Sequence, residues 1–364
     1  MKVKELVAEL WNWANPALQE SYDNSSIIVG DPNAEITGVI VSLDCIEEVV
    51  DEAINKGCNC IVSHHPIVFK GLKTLTGKNY VERTVLKAIK HDVAIVAMHT
   101  NLDNVDTGVN RIIGEKLGLQ NLKILSPKPG TLQKLFTYVP VSNVDKVRDA
   151  LFFVGAGKIG NYDCCSFNSN GKGTFRANEN ANPYVGKKGE IHFEDEVKLE
   201  VVFPTYLNAK VVAALKQAHP YEEVAYEIFD MANTNPTQGA GMIGELPEAI
   251  NEDDFLATLK ATFKAGVVKH TKLFGKKVKK VAFCGGAGSF LINDAIRQKA
   301  DVFFTGDVKY HEFFDAEDFL VFADIGHFES EQFTVNLLGD FLKRNFTTFA
   351  THFTEVKTNP VNYF

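Results

Sequence analysis

The sequence predicts an α/β protein of two similar α/β halves forming one core, interrupted by a ferredoxin-like α+β insert. Three observations carry this. Short apolar runs alternate with helical periodicity from residue 27 to about 103, the rhythm changes between about 126 and 238, and the first rhythm returns after Gly241. The expected domains are 1–125 (first half of the core), 126–238 (the insert) and 239–364 (second half).

A chain of 364 residues exceeds one typical domain, and 45% hydrophobic with 23% charged residues supplies ample material for a core. The net charge of −8 argues against a nucleic-acid partner held by a basic surface. The 27 phenylalanines are spread along apolar runs and read as packing. The six cysteines form no CxxC pair and no framework spacing, which fits reduced thiols. The first 13 residues form an amphipathic, partly acidic helical pattern without the apolar centre of a signal peptide, and no run reaches membrane-spanning length. A soluble cytoplasmic protein with no membrane partner is expected.

In chain order, residues 3–14 have helical spacing and stop at Asn15-Pro16. Tyr22-Asp23-Asn24-Ser25-Ser26 is a polar turn whose acid and amide are ordinary turn formers. Ile36 to Leu43 reads as a strand and Ile46 to Lys56 as a helix. The run Cys58 to Val62 is a short buried strand that ends in Ser63-His64-His65-Pro66. Proline holds His65 extended, so both imidazoles stand at the strand's exit. They suit a divalent metal, or else one is a core histidine and the other solvated. Tyr80 to His91 is helical, and the strand Val93 to Met98 exits into His99-Thr100-Asn101-Leu102-Asp103. Asp103 could be a metal ligand or a helix cap, and Asp106 and Thr107 also offer caps.

Within the insert, strands at 135–139, around Cys164-Cys165, at 197–203 and at 224–230, with helices at 143–152 and 208–218, fit a β-α-β-β-α-β order. Asn168 to Gly189, rich in Asn, Gly and Lys, is expected to be an exposed mobile loop. Beyond it, 253–263 is a helix, and the strand 279–284 leads into Gly285-Gly286-Ala287-Gly288-Ser289. That turn lacks both the Walker ending and the full dinucleotide fingerprint, so tight packing competes with anion binding. The strand 301–305 exits into Gly306-Asp307 with His311 beyond, and 319–323 exits into Asp324-Ile325-Gly326-His327 with Glu331 one helical turn further. The last two could be a solvated helical pair or the grip on an ion.

Of ten histidines, five (His64, His65, His99, His311 and His327) fall at these exits. Together the exits gather His64, His65, Asp103, His327 and Glu331 along what should be one edge of the sheet, where open α/β sheets bind their ligands. Three imidazoles and two carboxylates, with no thiolate, favour Zn, Mn, Fe or Co over Ca or Mg. Five donors suit two divalent metal ions per chain, with zinc the first candidate, a bridging carboxylate and open water positions, which is the equipment of a hydrolase.

At these residues the chain resembles the GTP cyclohydrolase I type 2 family, also called the Ngg-interacting-factor-like or dinuclear-metal-centre family. The matching motifs are Ser63-His64-His65-Pro66, His99 to Asp103, Thr305-Gly306-Asp307 with His311, and Gly326-His327 with Glu331. The resemblance implies that His64, His65, Asp103, His327 and Glu331 are the metal ligands of one core built by the two halves, with Glu331 as the bridge. It implies hydrolytic attack at C8 of a guanine ring, with His99, Asp307 or His311 moving protons or supporting the ligands. The insert resembles PII and CutA domains through Ala218-His219-Pro220-Tyr221-Glu222-Glu223, and the resemblance implies a homohexamer. Tyr22-Asp23-Asn24 resembles the family's aspartate-asparagine motif, from which Ser25-Ser26 departs. The substrate would be a small molecule, a purine nucleotide or related heterocycle. The same ions would serve phosphoester hydrolysis, and a non-catalytic, metal-dependent regulatory or interaction protein is the third alternative.

Overall fold

Successive side chains along the central strands are buried on opposite faces, and this decides the layering. The structure, a computed structural model, describes residues 1–364. The chain forms two compact units, one made of Met1–Pro127 with Thr237–Phe364 and the other of Lys128–Pro236. In chain order the strands are β1 (Ile27–Val29), β2 (Gly38–Ser42), β3 (Cys60–Ser63), β4 (Ala94–Ala97) and β5 (Gln120–Pro127). Then come β6 (Leu132–Pro140), β7 (Phe167–Arg176), β8 (Ile191–Pro204) and β9 (Tyr226–Asp230). The last six are β10 (Gly239–Asn251), β11 (Lys269–His270), β12 (Lys277–Ala287), β13 (Val302–Gly306), β14 (Val321–Asp324) and β15 (Ala350–Phe353).

The first unit contains two sheets. One has the order β1-β4-β3-β2-β15, parallel except for β1. The other has the order β11-β14-β13-β12-β10-β5, with β12, β13 and β14 parallel and the outer strands antiparallel. Val39, Val41, Val62 and Val96 of the first sheet join Val281, Phe283, Phe304 and Val321 of the second in one core, with Leu6, Ile113, Leu259 and Leu338 from helices. The intervening residues point the other way. Ile40, Ile61 and Ile95 pack with Val49 and Val85 of the helices Glu47–Asn55 and Tyr80–Lys90, while Ala282, Phe303 and Phe322 pack with Ile292 and Ala295. Strands buried on both faces read as continuous apolar runs, which is why β2, β3, β4, β13 and β14 stand out in the sequence.

The expected single sheet edge is therefore two sheets, each bringing its own parallel strand exits to the interior of one unit. Several strands have no counterpart in the sequence reading, β10 and β15 among them. β10 carries Gly239, Gly241, Gly244 and Pro247, poor strand formers that are held here by β5 on one side and β12 on the other. β15 is added beside β2 at the end of the chain.

The second unit is a four-stranded sheet of order β7-β8-β6-β9, in the succession β-α-β-β-α-β, with helices Val144–Phe153 and Asn208–Ala218. Its core is Leu135, Val147, Leu199, Phe203, Val211 and Leu215. The mobile loop expected at 168–189 is corrected in its first part: Phe167–Arg176 is a strand that pairs residue by residue with β8. Its polar, glycine-rich side chains hide the pattern because the strand is held by ladder hydrogen bonds at the sheet edge rather than by apolar alternation. No helix in the chain is long and apolar enough to cross a membrane.

Candidate metal centre

Each sheet delivers donors from its carboxyl ends. At the exit of β3 the backbone stays paired: His64 N–H donates to Ser42 O (3.2 Å) and His65 N–H to Leu43 O (2.9 Å), fixing both imidazoles. The exit of β4 turns through His99 into a single helical turn, Thr100–Asp103. From the other sheet, Gly326 (φ +94°) turns the chain from β14 into the helical turn His327–Glu331. Here a glycine is required, because the left-handed region strains other residues.

The Nδ1 atom of every histidine in the cluster is tied to an oxygen acceptor. His64 Nδ1 bonds to Met98 O at 2.7 Å, His65 Nδ1 to Asp44 Oδ1 at 2.7 Å, His99 Nδ1 to Asp23 Oδ1 at 2.7 Å and His327 Nδ1 to Asp307 Oδ2 at 2.7 Å. Such acceptors fix the tautomer, so each Nε2 is the nitrogen left to face the centre. His65 Nε2 lies 3.0 Å from Glu331 Oε2 and 3.3 Å from His327 Nε2, which is itself 3.1 Å from Glu331 Oε2. On the other side of that carboxylate, His64 Nε2 lies 3.7 Å from both Asp103 Oδ1 and Glu331 Oε1. His64 Nε2 and Asp103 Oδ1 are buried without any hydrogen-bond partner. Buried polar atoms are rarely left so, and a pair converging on one point fits a cation.

Three donor triplets result, with ligand atoms within 4.8 Å of one another: His64, Asp103 and Glu331; His65, His327 and Glu331; and His64, His65 and His99. Glu331 belongs to both of the triplets that carry a carboxylate. The five residues expected from the sequence as ligands are thus brought together, in clusters whose nitrogen and oxygen donors could hold metal. His99 stands beside them, its ring 5.3 Å from that of His64 and 5.4 Å from that of His65, and Asp307 touches them only through His327. His311 is not brought in. It lies exposed on the helical segment Tyr310–Ala316, against Tyr310 and Phe314, because that segment turns outward after Asp307.

The electrostatics follow from packing charge into an interior. Burial pushes His64 down, which keeps it a neutral donor. Burial acts the same way on His65, but hydrogen bonds to Asp44 and Glu331 outweigh it and raise it to about 9. His327, also opposed by burial, is raised to about 11 by Glu331 and Asp307. Burial and the neighbouring Glu331 charge push Asp103 well above the carboxylate range. Glu331 is held well below it, against its burial, by His327 and His65. Asp23 is likewise held low against its burial by His99, and it also accepts hydrogen bonds from the Thr100 N–H and hydroxyl and from the Asn24 N–H.

The glycine turn of β12 has a packing role. The N–H of Gly285 donates to Asn110 Oδ1 (3.0 Å), that of Gly286 to Ser330 Oγ (3.0 Å) and that of Gly288 to Thr305 Oγ1 (2.8 Å), so none of these three is free to cradle an anion. A Cβ on Gly286 would overlap Glu331 Oε1, and one on Gly285 would press on Glu331 Cγ. The turn lets the carboxylate approach the backbone.

Sequence reasoning passed over Asp44, the Met98 carbonyl and Ser330, and it treated Asp23 as a turn former. Asp44 follows β2 as His65 follows β3, so an acid at a strand exit was the available signal. The centre opens into a cavity of about 700 Å³ with Tyr22, Phe69, Phe290, Phe328 and Tyr363 on its walls.

The family model for Duf34/NIF3 (NGG1p interacting factor 3) matches residues 1–360. A protein of Halalkalibacterium halodurans named GTP cyclohydrolase 1 type 2 homolog is 40% identical over 317 residues, 86% of this chain and 85% of that protein. A Staphylococcus aureus (strain MSSA476) protein of the same name is 35% identical over 368 residues, covering 100% of both. Among solved structures, a Bacillus cereus protein related to NIF3 superposes with a TM-score of 0.86 at 35% identity, over 100% of this chain and 99% of that one. Staphylococcus aureus protein SA1388 superposes with a TM-score of 0.80 at 32% identity, with the same coverage. With strand exits, converging donors and whole-length similarity in agreement, this chain belongs to the Duf34/NIF3 family.

Proposed function

We propose that the protein is a hydrolase dependent on two divalent metal ions per chain, acting on a purine nucleotide or related heterocycle. His64, Asp103 and Glu331 hold one ion, His65, His327 and Glu331 the other, and zinc is the first candidate for both, ahead of manganese, iron or cobalt. The observation that carries this reading is the unpartnered, buried pair His64 Nε2 and Asp103 Oδ1 on one side of Glu331, with His65 and His327 on the other. When bound, such ions supply Lewis acidity at the floor of the cavity.

The chain's own residues do the rest. Asp44, Asp307 and the Met98 carbonyl hold the Nδ1 protons, so that three Nε2 lone pairs point inward. His99, steadied by Asp23, is placed to take up or give a proton at Nε2. The aromatic walls offer faces on which a planar ring can stack. The name shared by the relatives, GTP cyclohydrolase 1 type 2 homolog, supports a guanine nucleotide as the first substrate to try. We extend the proposal to a homohexamer, to be read from light scattering on the eluting protein.

The test is metal content by mass spectrometry on untagged protein, wild type beside His65→Ala and Glu331→Ala, with formate and phosphate release from GTP. About two ions per chain, lost in the variants, with formate released, is the expected result. Phosphate without formate would point to phosphoester hydrolysis. Metal without turnover of any nucleotide would favour a regulatory protein, and no metal in any form would sink the assignment.

A further inference from the structure

The second unit has a cavity of its own, about 670 Å³, on the sheet face away from its core. The residues of β8 alternate: Val197, Leu199 and Val201 enter the core, while Glu196 and Lys198 line the cavity. Opposite Glu196 on β7 stands Gly171, and a Cβ on Gly173 would overlap the Glu196 carboxylate. Two glycines on the edge strand thus make room for an acid and for the space beside it.

The motif His219-Pro220-Tyr221 builds one wall. His219 Nε2–H donates to Tyr138 O (3.0 Å) and its Nδ1 accepts the Tyr221 N–H (3.1 Å), which fixes the tyrosine's position. The Tyr221 hydroxyl donates to Glu196 Oε1 at 2.8 Å, and burial together with that carboxylate raises its pKa, keeping it a donor. The Tyr221 ring lies 5.9 Å from Phe175 and 6.2 Å from Tyr184, so three aromatic rings surround the space.

The charge balance is one-sided. Glu196, Glu222 and Glu223 line the cavity and none of them has a cationic partner, although Glu196 is only 8% exposed. Both lining lysines are engaged: Lys172 lies 3.4 Å from Asp195, and Lys198 lies 3.1 Å from Glu200 and over the Phe136 ring. Buried charges are normally paired, and aromatic faces attract cations strongly where water is excluded.

We propose that this cavity binds a small organic cation, an ammonium or guanidinium bearing apolar substituents, held between the Glu196 carboxylate and the rings of Tyr221, Tyr184 and Phe175. The cation supplies the charge that Glu196 lacks, and the rings take its apolar part.

The experiment uses the full chain and calorimetry with choline, agmatine and 3,3-dimethylbutan-1-ol, the last matching choline in shape without its charge. Choline or agmatine is expected to bind and the neutral alcohol is not. Glu196→Gln and Tyr184→Ala should each weaken binding about tenfold. Tyr184 is 54% exposed, so its truncation keeps the fold and decides the matter should the Glu196 variant lose stability. No binding of either cation to the wild type would overturn the proposal. So would equal binding of choline and the alcohol, or unchanged affinity in Tyr184→Ala.

Discussion

The backbone of Gly286 lies against the carboxylate of Glu331 so closely that a Cβ there would overlap Oε1. Gly286 also has φ +62°, a conformation that disfavours any side chain. Gly286→Ala is therefore expected to displace the one carboxylate shared by two of the donor triplets. Strain and overpacking should cost about 1–3 kcal/mol of stability and abolish tight metal binding. Thermal melting and metal analysis of the purified variant check this, and a normal metal content would contradict it.

Asp44 and Asp307 hold the rings of His65 and His327 at Nδ1, the nitrogen opposite the one each offers to the centre. Asp44→Ala or Asp307→Asn should leave the fold intact and lower metal affinity about 10- to 100-fold. Competition against a coloured chelator measures the change. Wild-type affinity in both variants would mean that the rings need no such support.

His99 separates proton transfer from metal binding. His99→Ala should keep the full complement of ions while turnover falls by about 10²- to 10⁴-fold. A loss of metal would instead make His99 a ligand, its ring being close enough to those of His64 and His65 for that outcome to be informative.

Protons compete with metal at this centre. Free of metal, Asp44 and Glu331 raise His65 to about 9, and Glu331 and Asp307 raise His327 to about 11, against the burial of both rings, which favours protonated rings at neutral pH that a ligand role must displace. Loading should release protons, and apparent affinity should rise as the pH goes from 6 toward 9. Titration calorimetry in buffers of different ionisation enthalpy reads the proton count directly, and a pH-independent affinity would refute the protonated ground state.

Glu82 ties down the segment before the helix Tyr80–Lys90. Its carboxylate accepts hydrogen bonds from the Thr76 and Lys78 N–H groups and from the Thr74 and Thr76 hydroxyls, which hold it at about 2. A carboxyl depressed in the folded state stabilises above its ordinary value and loses that contribution as the pH falls through the folded one. Glu82→Gln should therefore loosen residues 74–79 at neutral pH, with the difference from wild type shrinking below about pH 4. Hydrogen exchange of these amides at the two pH values is the measurement.

What could be read in the sequence was local. His64-His65-Pro66 and Gly326-His327 announce themselves because each donor sits next to the end of its own strand, and β3 and β14 are apolar enough to be seen. The partners that orient those donors lie far off in the chain: Asp44 is 21 positions from His65, and Asp23 is 76 from His99. No periodicity links such pairs. The strand β7 was illegible for a different reason, since ladder pairing with β8 rather than side-chain burial makes it a strand. His311 lies apart from the cluster because nearness in sequence to Asp307 does not survive the outward turn after that residue.

The contact between His65 and Glu331 spans 266 positions. During synthesis the first sheet's exits are made long before the helical turn that carries Glu331 leaves the ribosome. A nascent chain therefore offers His64, His65, His99 and Asp103 without Glu331, and the shared carboxylate joins them near the end of translation. The donor set that includes Glu331 is completed only by a nearly complete chain, so its full occupancy would record that both halves have folded onto each other.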